Sequence, residues 1–190
     1  LYLPRAGVRP AAYRRRIVGN GPEQPIIGPM AHLSMNSPLG PLTIFEEDGA
    51  IVALEWGRAE NPGPTPLLEK ARDQLNDYFD GSRRDFDLPL EPRGSPFQCA
   101  VWDRMRRIPF GQARSYGDIA SQLGTAPRAV GGACRRNPIP IIIPCHRVVG
   151  KGGNLTGYSG GDGIDSKRAL LRLEGCPVAP TAPEDHNTKS

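Results

Sequence analysis

A thiol, an imidazole and a guanidinium stand in a row at Cys145-His146-Arg147. A thiolate is a potent nucleophile, and nearby cations lower the pKa of its parent thiol. The trio could therefore attack an electrophilic carbon. The bland alternative is a cysteine that fills space as a small hydrophobe, the usual role of an unpaired thiol. Adjacency alone does not choose between them, because neighbours in an extended chain face opposite ways. A second chemical group is Glu174, at the end of a leucine-rich helical stretch. A carboxylate there opposes the helix dipole. Either a cationic or donor partner compensates, or the glutamate is simply solvated.

Something must hold these groups in place. Ile141-Ile142-Ile143 runs into Pro144. Its β-branched side chains read as a buried strand or core segment. Pro144 offers no ladder donor and keeps Ile143 extended, so the chain turns and Cys145 ends a rigid element. Beyond it, Gly150-Lys151-Gly152-Gly153-Asn154 is a tight polar turn. Residues 155–163 form a glycine-rich loop carrying Tyr158 and Ser159, with no Walker pattern. That loop suits a pocket wall where a flat ligand meets backbone. Asp165 or Ser166 is the expected cap of the last helix, with Leu170, Leu171 and Leu173 packing inward.

Upstream, Ser95-Pro96 opens a helix whose apolar face is Phe97, Val101, Trp102, Met105 and Ile108. Ser115 caps a short helix over residues 116–123, Gly124-Thr125 turns, and Pro127 begins a second helix. The second helix carries Arg128, Ala129, Arg135 and Arg136. The pair reads as a helix-turn-helix, although any helical hairpin with surface arginines shares the pattern. Gly131 and Gly132 inside it cost about 1 kcal/mol each relative to alanine. Either tight packing within the protein or a nucleic-acid backbone must press on that helix.

The first half carries no evident chemistry. Residues 31–56 alternate as strands, with Asp48-Gly49 as a hairpin signal. Residues 61–66 are a loop, and Pro66 to Phe79 has the spacing of an amphipathic helix. Residues 88–94 read as a linker. The expected architecture is an α/β N-terminal domain (small sheet plus helix) over residues 30–92. A mainly α C-terminal domain with a helix-turn-helix follows over 93–176. Residues 1–29 and 177–190 lack a hydrophobic period and read as disordered, with Met30 as the natural start.

Charge divides the chain the same way. Residues 30–93 hold six Lys/Arg against twelve Asp/Glu, and residues 94–176 hold twelve against five. Only the second half suits a polyanion. Four cysteines without CxxC spacing read as reduced thiols of a cytoplasmic protein, not a disulfide frame or zinc site. No run approaches a membrane span, and the N-terminus lacks the apolar stretch of a secretory signal.

Several separated motifs agree in order: Asn137-Pro138, Pro144-Cys145-His146-Arg147-Val148, Gly157-Tyr158-Ser159-Gly160-Gly161, Lys167, and Leu170-Leu171-Arg172-Leu173-Glu174-Gly175. Together they resemble the signature of the O6-alkylguanine-DNA alkyltransferases over residues 97–175, with a weaker likeness over 31–92. The resemblance implies DNA repair by direct reversal, in which Cys145 takes an alkyl group from O6-alkylguanine, or from O4-alkylthymine, in double-stranded DNA. It implies that His146 is the base through a water, that Glu174 orients it, and that Asn137 braces the turn. Tyr116, Val148, Tyr158 and Ser159 would hold the base. Arg128, Ala129, Gly132 and Arg135 would meet DNA, and Arg128 would fill the space of a flipped nucleotide. It implies a monomer that needs no cofactor or metal. The segment between Leu123 and Arg128 is shorter than in many members, and the one from Gly161 to Lys167 longer.

Two rivals use the same residues differently. A cysteine hydrolase would need an acyl substrate and would leave the basic half idle. A lesion-binding protein without catalysis would have no use for Cys145.

Overall fold

The computed structural model describes residues 30–59 and 63–177. The segment 1–29 and all but the first residue of the 177–190 tail lie outside the described residues, as does part of the 61–66 loop. Strands β1 (Ala31–Met35), β2 (Leu42–Glu47) and β3 (Ala50–Trp56) form an antiparallel sheet in that order. Asp48 and Gly49 both take positive φ, 51° and 78°, as the tight β2–β3 turn requires. Helix α1 (Pro66–Phe79) is capped by the Thr65 side chain and buries Leu68, Ala71, Leu75 and Tyr78. It packs on β1 and β2.

The second half is helical. Helix α2 (Pro96–Arg106) starts in a capping box between Ser95 and Gln98. Helix α3 (Tyr116–Gln122) starts in another, between Ser115 and Asp118. Helix α4 (Pro127–Arg135) follows after four residues with proline in its first turn. Helix α5 (Ile164–Leu173) closes the fold. Two short strands, β4 (Arg114–Ser115) and β5 (Val148–Val149), pair in parallel and tie the start of α3 to the segment after Cys145.

One buried cluster runs through both halves, from Leu42, Leu54 and Leu75 to Met105, Ile141 and Leu170. The outer edge of β3 is covered rather than bare. The linker bonds to Ile51 through Pro89 and Glu91, and the Leu54 amide donates to the Pro138 carbonyl at 2.9 Å. An exposed edge would template other chains. Here it seats Asn137-Pro138 against the sheet.

Of the two readings of the isoleucine run, core segment holds: Ile141 has φ 73°, and only an isolated bridge joins Pro140 and Ile143. Core burial, not ladder pairing, selected those side chains. Three local expectations are corrected. Neither Asp165 nor Ser166 caps α5. Gly163 occupies the cap position with φ 66°, and Ser166 Oγ accepts from the Asp162 amide instead. Leu173 faces outward at the helix end, and Phe97 is exposed on the first turn of α2.

Candidate active site

Pro144 turns the chain out of the core into a single 3-10 turn, Cys145–Arg147. Asn137 braces that turn. Its Nδ2 donates to the Ile143 carbonyl at 2.8 Å, and its Oδ1 accepts from the Ile139 amide at 3.1 Å. The turn throws Cys145, His146 and Arg147 in different directions, although all three are buried.

Glu174 is the hub behind the thiol. Its Oε1 accepts from His146 Nε2 at 2.7 Å and from Tyr78 Oη at 2.7 Å. Arg147 grips both carboxylate oxygens, Nε to Oε2 at 2.9 Å and Nη2 to Oε1 at 2.9 Å. The Gly111 amide donates to Oε2 at 3.2 Å. The compensating partner demanded by a carboxylate at a helix C-terminus is thus a full set of donors. Arg147 is spent on Glu174 and the Ile108 carbonyl, with 2.6 Å from Nη1 to the latter.

Protonation follows from burial and this hub. Burial alone raises the Glu174 carboxyl, but the hydrogen bonds and charges of His146 and Arg147 outweigh it and bring it down to about 2. A charged carboxylate cannot donate, so Nε2 of His146 carries the proton. Its Nδ1 then bears the lone pair, and it has no partner among the described residues. Burial lowers the His146 pKa against the pull of Glu174, so the ring rests neutral. Burial also pushes the Cys145 thiol up, only partly offset by the Asn137 hydrogen bond and the charge of Lys167. The expectation that adjacent cations ionise the thiol is therefore corrected. The guanidinium is turned away onto Glu174, the imidazole is neutral, and Cys145 rests as a thiol.

Stability should fall with acid for the same reasons. A folded Glu174 below its ordinary 4.5 contributes stability above that value and loses it as pH falls toward about 2. A folded His146 below 6.5 refuses a proton that the unfolded chain accepts, so the loss begins below 6.5. Urea unfolding should show a midpoint falling steadily from about pH 7 to about pH 4. A His146→Gln protein should lose the upper part of that slope.

Cys145 opens onto a cavity of about 720 Å³. Its walls include Asn137, Pro140, Arg135, Tyr158, Ser159 and Gly160. Val148, expected in that wall, is not part of it: its side chain is fully buried, and its carbonyl accepts from Lys167 Nζ at 2.5 Å. Tyr116 lies behind the loop. Its hydroxyl donates to the Thr156 carbonyl at 3.0 Å, and Lys167 Nζ donates to the same oxygen at 2.9 Å. Lys167 thereby clamps the loop to β5. Burial brings its pKa down to about 8.

The N-terminal half is part of the site, which the sequence reading missed. Residues 53–56 of β3 form one cavity wall. The Trp56 indole lies so close to the loop that a Cβ on Gly160 would be 2.5 Å from its Cη2. Tyr158 meets the same indole edge-on, with ring centroids 6.4 Å apart. Tyr78 falls on the apolar face of α1 and ends on Glu174. A tyrosine at a core position is itself a signal, because its hydroxyl needs a partner.

Arg128 and Arg135 on α4 and Arg136 at its C-cap are exposed. Ala129 and Gly132 are half-buried. A Cβ at Gly132 would meet nothing within 4 Å, and one at Gly131 would only touch the Tyr116 ring at 3.9 Å. Packing within the protein does not explain Gly132.

Comparison with known proteins agrees with this layout. A family model described as the DNA binding domain of 6-O-methylguanine DNA methyltransferase matches residues 96–176, and one described as its ribonuclease-like domain matches residues 30–92. The constitutive methylated-DNA–protein-cysteine methyltransferase of Bacillus subtilis is 43% identical over 156 residues, covering 75% of this chain and 94% of that protein. The Mycobacterium bovis methylated-DNA–protein-cysteine methyltransferase is 46% identical over 150 residues, covering 74% and 90%. Among solved structures, Mycobacterium tuberculosis OGT in complex with DNA superposes with a TM-score of 0.69 at 46% identity, covering 77% of this chain and 94% of that one. With both halves matched and the identity this high, the chain belongs to the 6-O-methylguanine DNA methyltransferase family.

Proposed function

We propose that this protein repairs DNA by direct reversal, moving a methyl or other alkyl group from O6 of guanine to Cys145 Sγ. The carrying observation is a thiol in the wall of a cavity, next to a histidine whose proton position is fixed by a buried glutamate. In the step, a new bond forms from Sγ to the alkyl carbon and the carbon–O6 bond breaks. The thiol proton passes through a water to the free Nδ1 of His146, and Glu174 stabilises the imidazolium. The leaving base gathers negative charge, and the proton held by His146 is passed on through water to it, so that the thiol's proton ends on the free guanine. Asn137 holds the turn, and Tyr158 and Ser159 flank the base. Tyr116 acts on the base through the Thr156 end of the loop, and Val148 through its backbone.

Because burial holds the resting thiol neutral, it must give its proton to His146 for the sulfur to act as nucleophile. The product is a thioether, which water does not open, so each molecule acts once. Mass spectrometry after incubation with methylated duplex DNA tests this. One methyl on the Cys145 peptide is expected. Many turnovers per molecule, or an unmodified cysteine, would overturn it.

A target atom inside a duplex is reached by flipping the nucleotide out, at a cost of a few kcal/mol. Helices α3 and α4 serve as a helix-turn-helix, with α4 against the minor groove and Arg128 in the vacated space. Ala129 and Gly132 let the DNA backbone approach, and Arg135 contacts it. The open space over Gly132 supports this reading. Double-stranded DNA with alkylated bases is the partner, and the protein acts as a cytoplasmic monomer. An Arg128→Ala protein should transfer about tenfold to a hundredfold more slowly at limiting DNA, the loss of about 1–3 kcal/mol of support for the flipped state. Single-turnover rates on duplex and on single-stranded substrate check it. The deficit should shrink on single strands, where nothing needs to be displaced.

A further inference from the structure

The hydroxyl of Tyr78 stands outside the reaction as described, yet it ends on the reaction's carboxylate. Tyr78 lies on α1, in the half of the chain whose chemistry was thought absent. Its O–H donates to Glu174 Oε1, the oxygen that also holds His146 Nε2, and both distances are 2.7 Å. We propose that Tyr78 is a positioning residue for alkyl transfer, through which the N-terminal half sets how strongly Glu174 supports the proton on His146. This rests on the reading of Cys145, His146 and Glu174 given above.

The geometry leaves the hydroxyl little choice. Tyr78 is fully buried. Its ring is fixed by Phe79, Phe86 and Phe110, at centroid distances of 5.4, 5.5 and 6.1 Å. Burial first, and then the Glu174 charge, raises its pKa well above that of an ordinary tyrosine. It therefore remains a donor at every working pH. A donor on a carboxylate stabilises its charge and weakens it as an acceptor for others. Each hydrogen bond Tyr78 gives Oε1 thus leaves His146 less basic. That matters because His146 must be neutral to take the thiol proton. The other titratable groups facing Tyr78, Glu174 and His146 are Arg147 and Cys145 on the turn that carries His146, Tyr158 from the glycine-rich loop, and Lys167 and Cys176 from α5 and the residues after it. None of them touches Oε1 except Arg147.

Tyr78→Phe keeps the ring and removes only the donor. Glu174 then supports the imidazolium more strongly, and His146 stays protonated to higher pH. The acid limb of the single-turnover rate should move up by about one pH unit, with the plateau rate lower and DNA affinity unchanged. A purely structural tyrosine would lower the thermal midpoint without moving that limb. Should Tyr78→Phe fail to fold, fluorinated tyrosine at position 78 retains shape and donor. It strengthens the donation, so the limb should move down. An unmoved limb in both proteins overturns the proposal, even while the native chain still methylates Cys145. Failure of the native chain to accept methyl at all overturns the underlying function instead.

Discussion

A Cys145→Ala protein will carry no methyl after incubation with alkylated duplex DNA, and it will still bind the lesion. In the proposed reaction the methyl group ends on Sγ, and no other group among the described residues of the cavity wall is placed to replace it. Cys134 also lines the cavity, but its sulfur lies 3.4 Å from the Met105 sulfur in the core, and burial pushes its thiol up to about 12. A serine at 145 should be equally inert, since a hydroxyl at its free pKa is a weak nucleophile. Binding should survive because the substitution leaves untouched the α4 arginines and the cavity walls to which the proposal assigns it. Radiolabel transfer and a gel-shift titration on the same oligonucleotide read the two halves of this expectation. Label appearing on another residue of the variant would contradict the assignment. Loss of lesion binding together with transfer would give Cys145 a structural role instead.

A Glu174→Gln protein should suffer twice. Arg147 and Glu174 are a buried ion pair with an added histidine and tyrosine. Removing one charge leaves a guanidinium stranded, at a cost of about 3–5 kcal/mol. That is a large part of the roughly 5–15 kcal/mol by which such domains are stable. The same change frees the tautomer of His146, because a neutral amide can donate as well as accept. Transfer by the surviving folded molecules should slow by about a hundredfold or more. Thermal unfolding gives the first effect, and single-turnover rates at low temperature give the second. A stable, fully active variant would remove Glu174 from the reaction.

The fold was largely legible because its signals are local. Asp48-Gly49, the Ser95 and Ser115 caps and the spacing of α1 each act within a few residues. The isoleucine run could be read as strand or core segment and no further, because β-branched residues favour any dry, crowded place, and a sheet is only one such place. The cap of α5 was missed because Gly163 supplies a backbone shape rather than a side-chain acceptor. Within the site, Cys145, His146, Asn137 and Glu174 could be named from the chain. The protonation of the thiol could not, because it depends on burial and on where Arg147 turns. Tyr78 and Trp56 were hidden for the opposite reason from the caps. Each meets its partner about a hundred residues away, and only the closed fold brings them together.

Trp56 sits on Gly160 so tightly that the position has no room for a methyl group, and at Gly161 the indole and Ser166 Oγ together leave none. The strand bearing Trp56 and the loop bearing those glycines are thus a lock and its key, cut to one another. Chimaeras that join the sheet of one homologue to the reactive portion of another should function only when bulk on one side is matched by emptiness on the other. Evolution faces the same restriction: enlarging the loop requires a smaller ring across the seam first, and the two changes must arrive in that sequence.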